Sequence, residues 1–239
     1  MNKGCFYGVG VGPGDPELIT LKALRLIQKA AVVSYLANDS GQSQARAIAC
    51  EAFDDVQAEQ IEIAINMPMS TDRRLANQAY DEGAEQIRQQ LNSGQDVVFL
   101  CEGDPLFFGS FAYLLERLQS EFECQVVPGI SSVHAASAAL QAPLTMLKES
   151  FVVVSGRHSD EQIRTALEQH DSVVIMKAGQ ARPRILALLA ETGRQNDARY
   201  LEYIGRENQR VEASISSLAN EAGPYFSLFV ITRQERNSR

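Results

Sequence analysis

The segment Asp96-Val-Val-Phe-Leu-Cys101, apolar without a break after Asp96, narrows most sharply the folds open to this chain. A strand with one wet face alternates apolar and polar residues, whereas a strand that is apolar at every position is covered on both faces. Such strands belong to parallel sheets sandwiched between helices. The rest of the chain supplies those helices. After a strand at 5–11, Asp15, Pro16 and Glu17 open a helix whose apolar face is Leu18, Leu21, Leu24 and Ile27. A strand at 31–36 and a helix at 42–53 follow. The spacing of Leu75, Ala79, Ala84, Ile87 and Leu91 predicts a long helix over 72–91, stopped at Gly94. Helix 109–119, strand 124–127 and a small-residue helix ending near Leu140 come next.

The later half repeats the alternation with strand 151–154, helix 160–169, strand 172–177 and helix 181–192. It then changes character, with strand patterns at 200–204, 211–218 and 225–232 and few helical signals between them. The expected fold class is α/β with two α/β domains. The first, 1–119, is built on a mostly parallel sheet and the second, 124–239, on a mixed one, with Ser120–Glu123 as the linker.

Composition limits the partners. With 22 Lys and Arg against 30 Asp and Glu, the net charge is -8, which weighs against a nucleic-acid backbone as partner. An anionic small molecule stays open, because a local basic pocket can sit in an acidic field. The cysteines Cys5, Cys50, Cys101 and Cys124 are isolated and lack metal-ligand spacing. They read as buried reduced thiols of a cytoplasmic protein, with no metal. No apolar run reaches membrane-spanning length, and no secretory leader is evident.

The chemistry is concentrated in three loops that follow strands. Gly8-Val-Gly-Val-Gly-Pro-Gly-Asp-Pro16 fits neither the G-x-G-x-x-G phase nor a Walker loop, and Asp15 stands where a phosphate would dock. Glu102-Gly-Asp-Pro-Leu-Phe-Phe-Gly-Ser110 brings two more carboxylates. Pro128-Gly-Ile-Ser-Ser132 opens a helix with small hydroxyl residues. Acidic loops suit a ribose diol or a cationic ligand better than a phosphate.

In this order and at these intervals, GVGPGDPELITLKA, EGDPLFFGS, VPGISS and VVIMK resemble the tetrapyrrole (corrin/porphyrin) methylases over essentially the whole chain. The longer stretch EGDPLFFGSFAYLLERL, with Met67-Pro68-Met69 before the long helix, is similar to family members acting on the C-20 bridge carbon. The resemblance implies S-adenosylmethionine as methyl donor and S-adenosylhomocysteine as product. The implied acceptor is precorrin-2 or its cobalt-containing counterpart, in cobalamin biosynthesis. It further implies a homodimer with the cofactor folded between the two domains of each chain.

Carried over by position, Pro13, Glu102, Gly103, Asp104, Phe107, Ser131, Ser132 and Met176 would contact the cofactor. Leu201-Glu-Tyr-Ile-Gly205 departs from the family's Glu-Asn-Gly pattern, which leaves Tyr203 or Ile204 for a further contact. In-line positioning supplies most of the chemistry, so no catalytic nucleophile is expected. His158 is a candidate base, with His134 and His170 as packing or surface residues. Substrate carboxylates call for basic partners, with Arg46, Arg157 and Arg206 as first candidates and Arg73, Arg74 and Lys148 as others. Two rival readings are a sibling methylating another carbon and a dinucleotide-dependent oxidoreductase with Asp39 as its ribose acid.

Overall fold

The computed structural model describes residues 3–54, 56, 59–68, 70 and 72–233, so Met69 lies outside the described residues. Ten strands and seven α-helices are described in two units, Met1–Ser131 and Ser132–Arg239. The first unit holds β1 (Phe6–Gly10), α1 (Leu21–Lys29), β2 (Val32–Ala37), α2 (Gln44–Ile48) and β3 (Ile61–Asn66). It continues with α3 (Arg73–Asn92), β4 (Val97–Cys101), α4 (Phe111–Leu118) and β5 (Cys124–Val127). Its five strands are all parallel, in the order β3-β2-β4-β1-β5.

Within Asp96–Cys101, the strand Val97–Cys101 is buried for the expected reason, while Asp96 is exposed. Val97, Phe99 and Cys101 pack on one side with residues of α3 and α4, while Val98 and Leu100 pack on the other with residues of α1 and α2. Both faces of β4 are covered, so no position on it needs a polar side chain.

The second unit holds α5 (Ser132–Leu140), β6 (Phe151–Ser155), α6 (Asp160–Gln169), β7 (Ser172–Met176) and α7 (Arg182–Glu191), then β8 (Ala198–Glu202), β9 (Arg210–Glu212) and β10 (Ser227–Thr232). Its sheet runs β6-β7-β10-β8-β9. Only the β6–β7 pair is parallel, so the sheet is mixed, as expected. Val173 and Ile175 face α6 and α7, and Val174, Leu201 and Val230 face α5.

Several sequence expectations need correction. The domain boundary lies later than 119–124: β5 pairs with β1, and Phe122, placed in a linker, is buried in the first core. Asp15 caps only a short 3₁₀ turn at Pro16–Leu18; α1 starts at Leu21 under a second cap, the Thr20 hydroxyl, which accepts from the Ala23 amide. That break leaves Leu21 exposed, while Ile27 of the expected face is buried together with Ala23. In α3 the inward face is Ala79, Tyr80, Gly83, Ala84, Ile87 and Leu91, and Leu75 is exposed. The helix expected at 42–53 divides into α2 and a 3₁₀ turn at Cys50–Phe53. The strand expected at 211–218 is the three-residue β9 followed by a 3₁₀ turn. The sequence reading missed β3, an edge strand with only Ile63 and Ile65 buried. Cys5 and Cys101 are buried as expected, whereas Cys50 is exposed.

Beside β3, Arg46 of α2 pairs with Glu62 at 2.9 Å and lies 3.5 Å from the Phe53 ring centroid. The Tyr35 hydroxyl donates to the same carboxylate at 2.7 Å. Hydrogen bonding from Arg46 holds the Glu62 carboxyl below its ordinary value, while burial and the acceptor at Glu62 push the Tyr35 hydroxyl up to about 12. A carboxyl lowered on folding contributes stability above its unfolded value and loses it as pH falls through the folded one. Arg46→Ala is therefore expected to cost about 1 kcal/mol near neutral pH, with the gap from the parent narrowing below about pH 4. Thermal unfolding of both proteins across that range checks this.

Candidate functional site

In the first sheet, β1 lies between β4 and β5. The chain leaves β1 toward the β2 side and leaves β4 toward the β5 side. The direction of winding thus reverses between these neighbours, and open α/β sheets bind ligands outside the carboxyl ends of strands at such a point. All three glycine loops leave from these ends.

The loops are joined backbone to backbone. Gly12 and Gly103 form an antiparallel bridge: the Gly103 amide donates to the Gly12 carbonyl at 2.7 Å, and Gly12 donates back at 3.4 Å. Both have left-handed backbones, with φ of 83° and 65°, which glycine adopts without strain. Asp104 links the second loop to the third, since its carboxylate accepts from the Leu106 amide at 2.9 Å and the Gly129 amide at 3.1 Å. Gly10 has no room for a side chain, because a methyl there would stand 2.6 Å from the Gly103 carbonyl oxygen and the Gly129 Cα. These glycines therefore let the loops approach one another.

The structure thus gathers Pro13, Glu102, Gly103, Asp104, Phe107 and Ser131 around one cluster. Pro13 and Ser131 are buried, Gly103 and Asp104 half-buried, Glu102 exposed, and Phe107 is 36% exposed. Phe107 meets Phe108 edge to face at 5.2 Å, and Phe108 is itself left-handed at φ 56°. Asp15 accepts from the Glu17 amide and Asp104 from two loop amides, and Glu102 is exposed. The three loops contain no Lys, Arg or His. Burial first, then the carboxylates of Glu102 and Asp104, push the Cys101 thiol far up, which makes it unreactive packing.

In the second unit, β6, β7 and β8 all point their carboxyl ends the same way. Met176 ends β7 and is half-buried against Val133, Ala136 and Leu201; Ser132 begins α5. Tyr203 follows β8 with φ 51° and is half-buried. Ile204 is 6% exposed in the core, so of the two residues left open only Tyr203 has an accessible side chain. After β6, His158 is half-buried and its carbonyl accepts from Arg184, while Arg157 is exposed. The Arg206 guanidinium lies 4.0 Å from the Phe226 ring centroid.

Arg46 does not join this group, being engaged by Glu62 and Phe53 at the β3 edge. Arg73 lies over Tyr113, Arg74 pairs with Asp72, and Lys148 is exposed. His134 is exposed on α5, and His170 caps α6. Asp39 sits exposed in a turn organised by its neighbour Asn38, whose side chain accepts from Ser40 and Gln42. The strand expected at 225–232 begins only at Ser227, and Pro224–Phe226 leads into it. Among the described residues, no group of three His, Cys, Asp or Glu side chains could hold a metal, and no helix is long and apolar enough to cross a membrane.

Known proteins resemble this chain in sequence and in fold. The family model "Tetrapyrrole (Corrin/Porphyrin) Methylases" matches residues 5–219. "Cobalamin biosynthesis protein CobIJ" of Mycobacterium bovis is 34% identical over 99% of this chain, and the chain spans 47% of that relative's length. "Precorrin-2 C(20)-methyltransferase" of a Sinorhizobium species is 31% identical over 97% of this chain and 96% of the relative. The crystal structure of a uroporphyrin-III C-methyl transferase from Thermus thermophilus, complexed with S-adenyl homocysteine, superposes with a TM-score of 0.68. It is 24% identical and covers 96% of this chain and 98% of that one, which is a likeness of fold. With a family match over most of its length and these relatives beside it, this chain belongs to the tetrapyrrole (corrin/porphyrin) methylases.

Proposed function

We propose that the protein transfers a methyl group from S-adenosylmethionine to the C-20 bridge carbon of precorrin-2 or its cobalt-containing counterpart, in cobalamin biosynthesis. The observation that carries the cofactor reading is the knitted loop cluster at the strand-order reversal, acidic and free of basic residues. A phosphate-bearing cofactor would meet carboxylates there and find no cation. A cofactor with a ribose diol and a sulfonium fits the same groups, because a carboxylate accepts from diol hydroxyls and an aromatic face attracts a cation. Glu102 and Phe107 supply those groups, and Pro13, Gly103 and Ser131 supply the surrounding wall. The same reading takes Ser132, Met176 and Tyr203 as cofactor contacts. The choice of carbon rests on the 31% identity to the Sinorhizobium enzyme.

Bound S-adenosylmethionine brings an electrophilic methyl group, and the reduced tetrapyrrole brings a nucleophilic carbon. The protein's task is orientation, and holding reactants at near-contact distance can account for about 7–11 kcal/mol of barrier. Arg157 and Arg206 are proposed partners for substrate carboxylates, and His158 is the proposed acceptor of the proton left on the methylated carbon. We place the protein in the cytoplasm as a homodimer, the state that the family resemblance implies.

Incubation of the purified protein with S-adenosylmethionine and precorrin-2 tests the reading. The expected product carries one new methyl group at C-20 by mass and NMR analysis. Methylation at another carbon overturns the positional assignment; absence of S-adenosylhomocysteine binding overturns the cofactor assignment.

A further inference from the structure

A buried arginine secures each end of the second sheet. At the amino ends of β7 and β8, Arg194 is 6% exposed and donates to the carbonyls of Leu167 at 2.6 Å, His170 at 3.1 Å and Asp171 at 2.9 Å. Its charge is met by Asp197 at 2.6 Å. At the opposite ends of the same strands, Arg182 is equally buried on the first turn of α7. Its Nε donates to the Glu221 carbonyl at 2.7 Å and its Nη2 to the Ala222 carbonyl at 3.4 Å. Its Nη1 lies 3.6 Å from the carboxylate of Glu202, the buried last residue of β8, and the guanidinium stands 5.6 Å from the Tyr200 ring centroid.

The segment that Arg182 holds is continuous with the residues proposed to meet the cofactor. The Gly223 amide donates to the Gly179 carbonyl at 2.9 Å, and a methyl on Gly223 would come within 2.9 Å of Arg182 Nη1. The Tyr203 amide then donates to the Phe226 carbonyl at 2.9 Å, and the Ser227 hydroxyl to the Pro224 carbonyl at 2.7 Å. On either side, β7 and β8 each pass into a left-handed residue, Lys177 at φ 54° and Tyr203 at φ 51°. Such a backbone in a residue with a side chain persists only where its surroundings determine it several times over.

We propose that Arg182 is a positioning residue. Through Glu202 and the Glu221–Ala222 carbonyls it fixes the left-handed turn at Tyr203 and the Pro224–Phe226 segment, and so sets the shape that this end of the second unit offers to the cofactor. The proposal rests on the reading of Met176 and Tyr203 as cofactor contacts. Arg194 is its internal comparison, being as buried and paired with one carboxylate, with three carbonyl acceptors against two for Arg182, but at the far end of the strands.

Titration calorimetry with S-adenosylhomocysteine on the parent, Arg182→Lys, Glu202→Gln and Arg194→Lys separates positioning from general support. Arg182→Lys and Glu202→Gln are each expected to weaken binding by about tenfold, the equivalent of ~1.4 kcal/mol. Arg194→Lys is expected to stay within about twofold of the parent at a comparable fall in Tm, since it disturbs only the amino ends. If Arg182→Lys does not fold, Glu202→Gln carries the test, with amide exchange over 203–226 as a second readout. Unchanged affinity in Glu202→Gln and Arg182→Lys, or equal weakening in Arg194→Lys, overturns the proposal. A parent protein that fails to bind S-adenosylhomocysteine overturns the cofactor reading instead, and the proposal falls with it.

Discussion

Gly129→Ala is expected to lower methyl transfer by roughly 100-fold while leaving a folded protein. The new methyl group would overlap the Gly103 carbonyl oxygen and approach Gly10 Cα to 2.8 Å, so backbone must move where three loops meet. Overpacking of this kind costs about 1–3 kcal/mol of stability. The functional loss should be larger, because a displacement of about 1 Å in a positioning wall lowers turnover by roughly 100-fold. Gly41→Ala is the matched comparison. Gly41 is left-handed at φ 77° with open space around it, so alanine there adds only local strain of roughly 1–2 kcal/mol. Turnover and S-adenosylhomocysteine affinity measured on both variants decide the matter. Full activity in Gly129→Ala would show that the loop cluster does not form the cofactor wall.

The largest expected stability effect belongs to Phe111→Ala, at about 3–5 kcal/mol. Phe111 is fully buried at the start of α4, with its ring 5.1 Å from that of Phe6 and 6.2 Å from that of Phe99. It also covers Gly8 of β1, where a methyl group would stand 2.6 Å from its ring atoms. No neighbouring side chain projects from Gly8 to refill the space, so the cavity persists and the cost falls toward the upper end of that range. Urea denaturation should show a lower midpoint with little change in slope. A loss under about 1 kcal/mol would mean that the core collapses around the vacancy. Because Ser110 immediately precedes Phe111, weakened S-adenosylhomocysteine binding should accompany the loss, as the acidic loop loses its anchor at α4.

Strands covered on both faces announced themselves in the sequence, since Val97–Cys101 and Ser172–Met176 need no polar positions once helices lie on each side. The edge strand β3 was harder to read: Ile61-Glu-Ile-Ala-Ile-Asn66 buries only two side chains, and an edge position is set by what lies beside it. Helix starts were misjudged where two caps competed. Asp15 and Thr20 both satisfy orphan amides, and only the local backbone decides which of them begins a long helix.

The candidate site divides in the same way. The residue types of the three loops were legible, and with them the acidic character of loops that follow parallel strands. Their partners were not. A carboxylate in a loop looks available until its neighbours are placed, and Asp15 and Asp104 turned out to satisfy backbone amides while Arg46 turned out to serve Glu62. Local order along a chain dictates periodicity, capping and the chemistry each loop carries, because those depend on residues within a turn or two of one another. Which carboxylate remains exposed and which glycine must stay bare depend on segments dozens of residues apart, brought together by strand order.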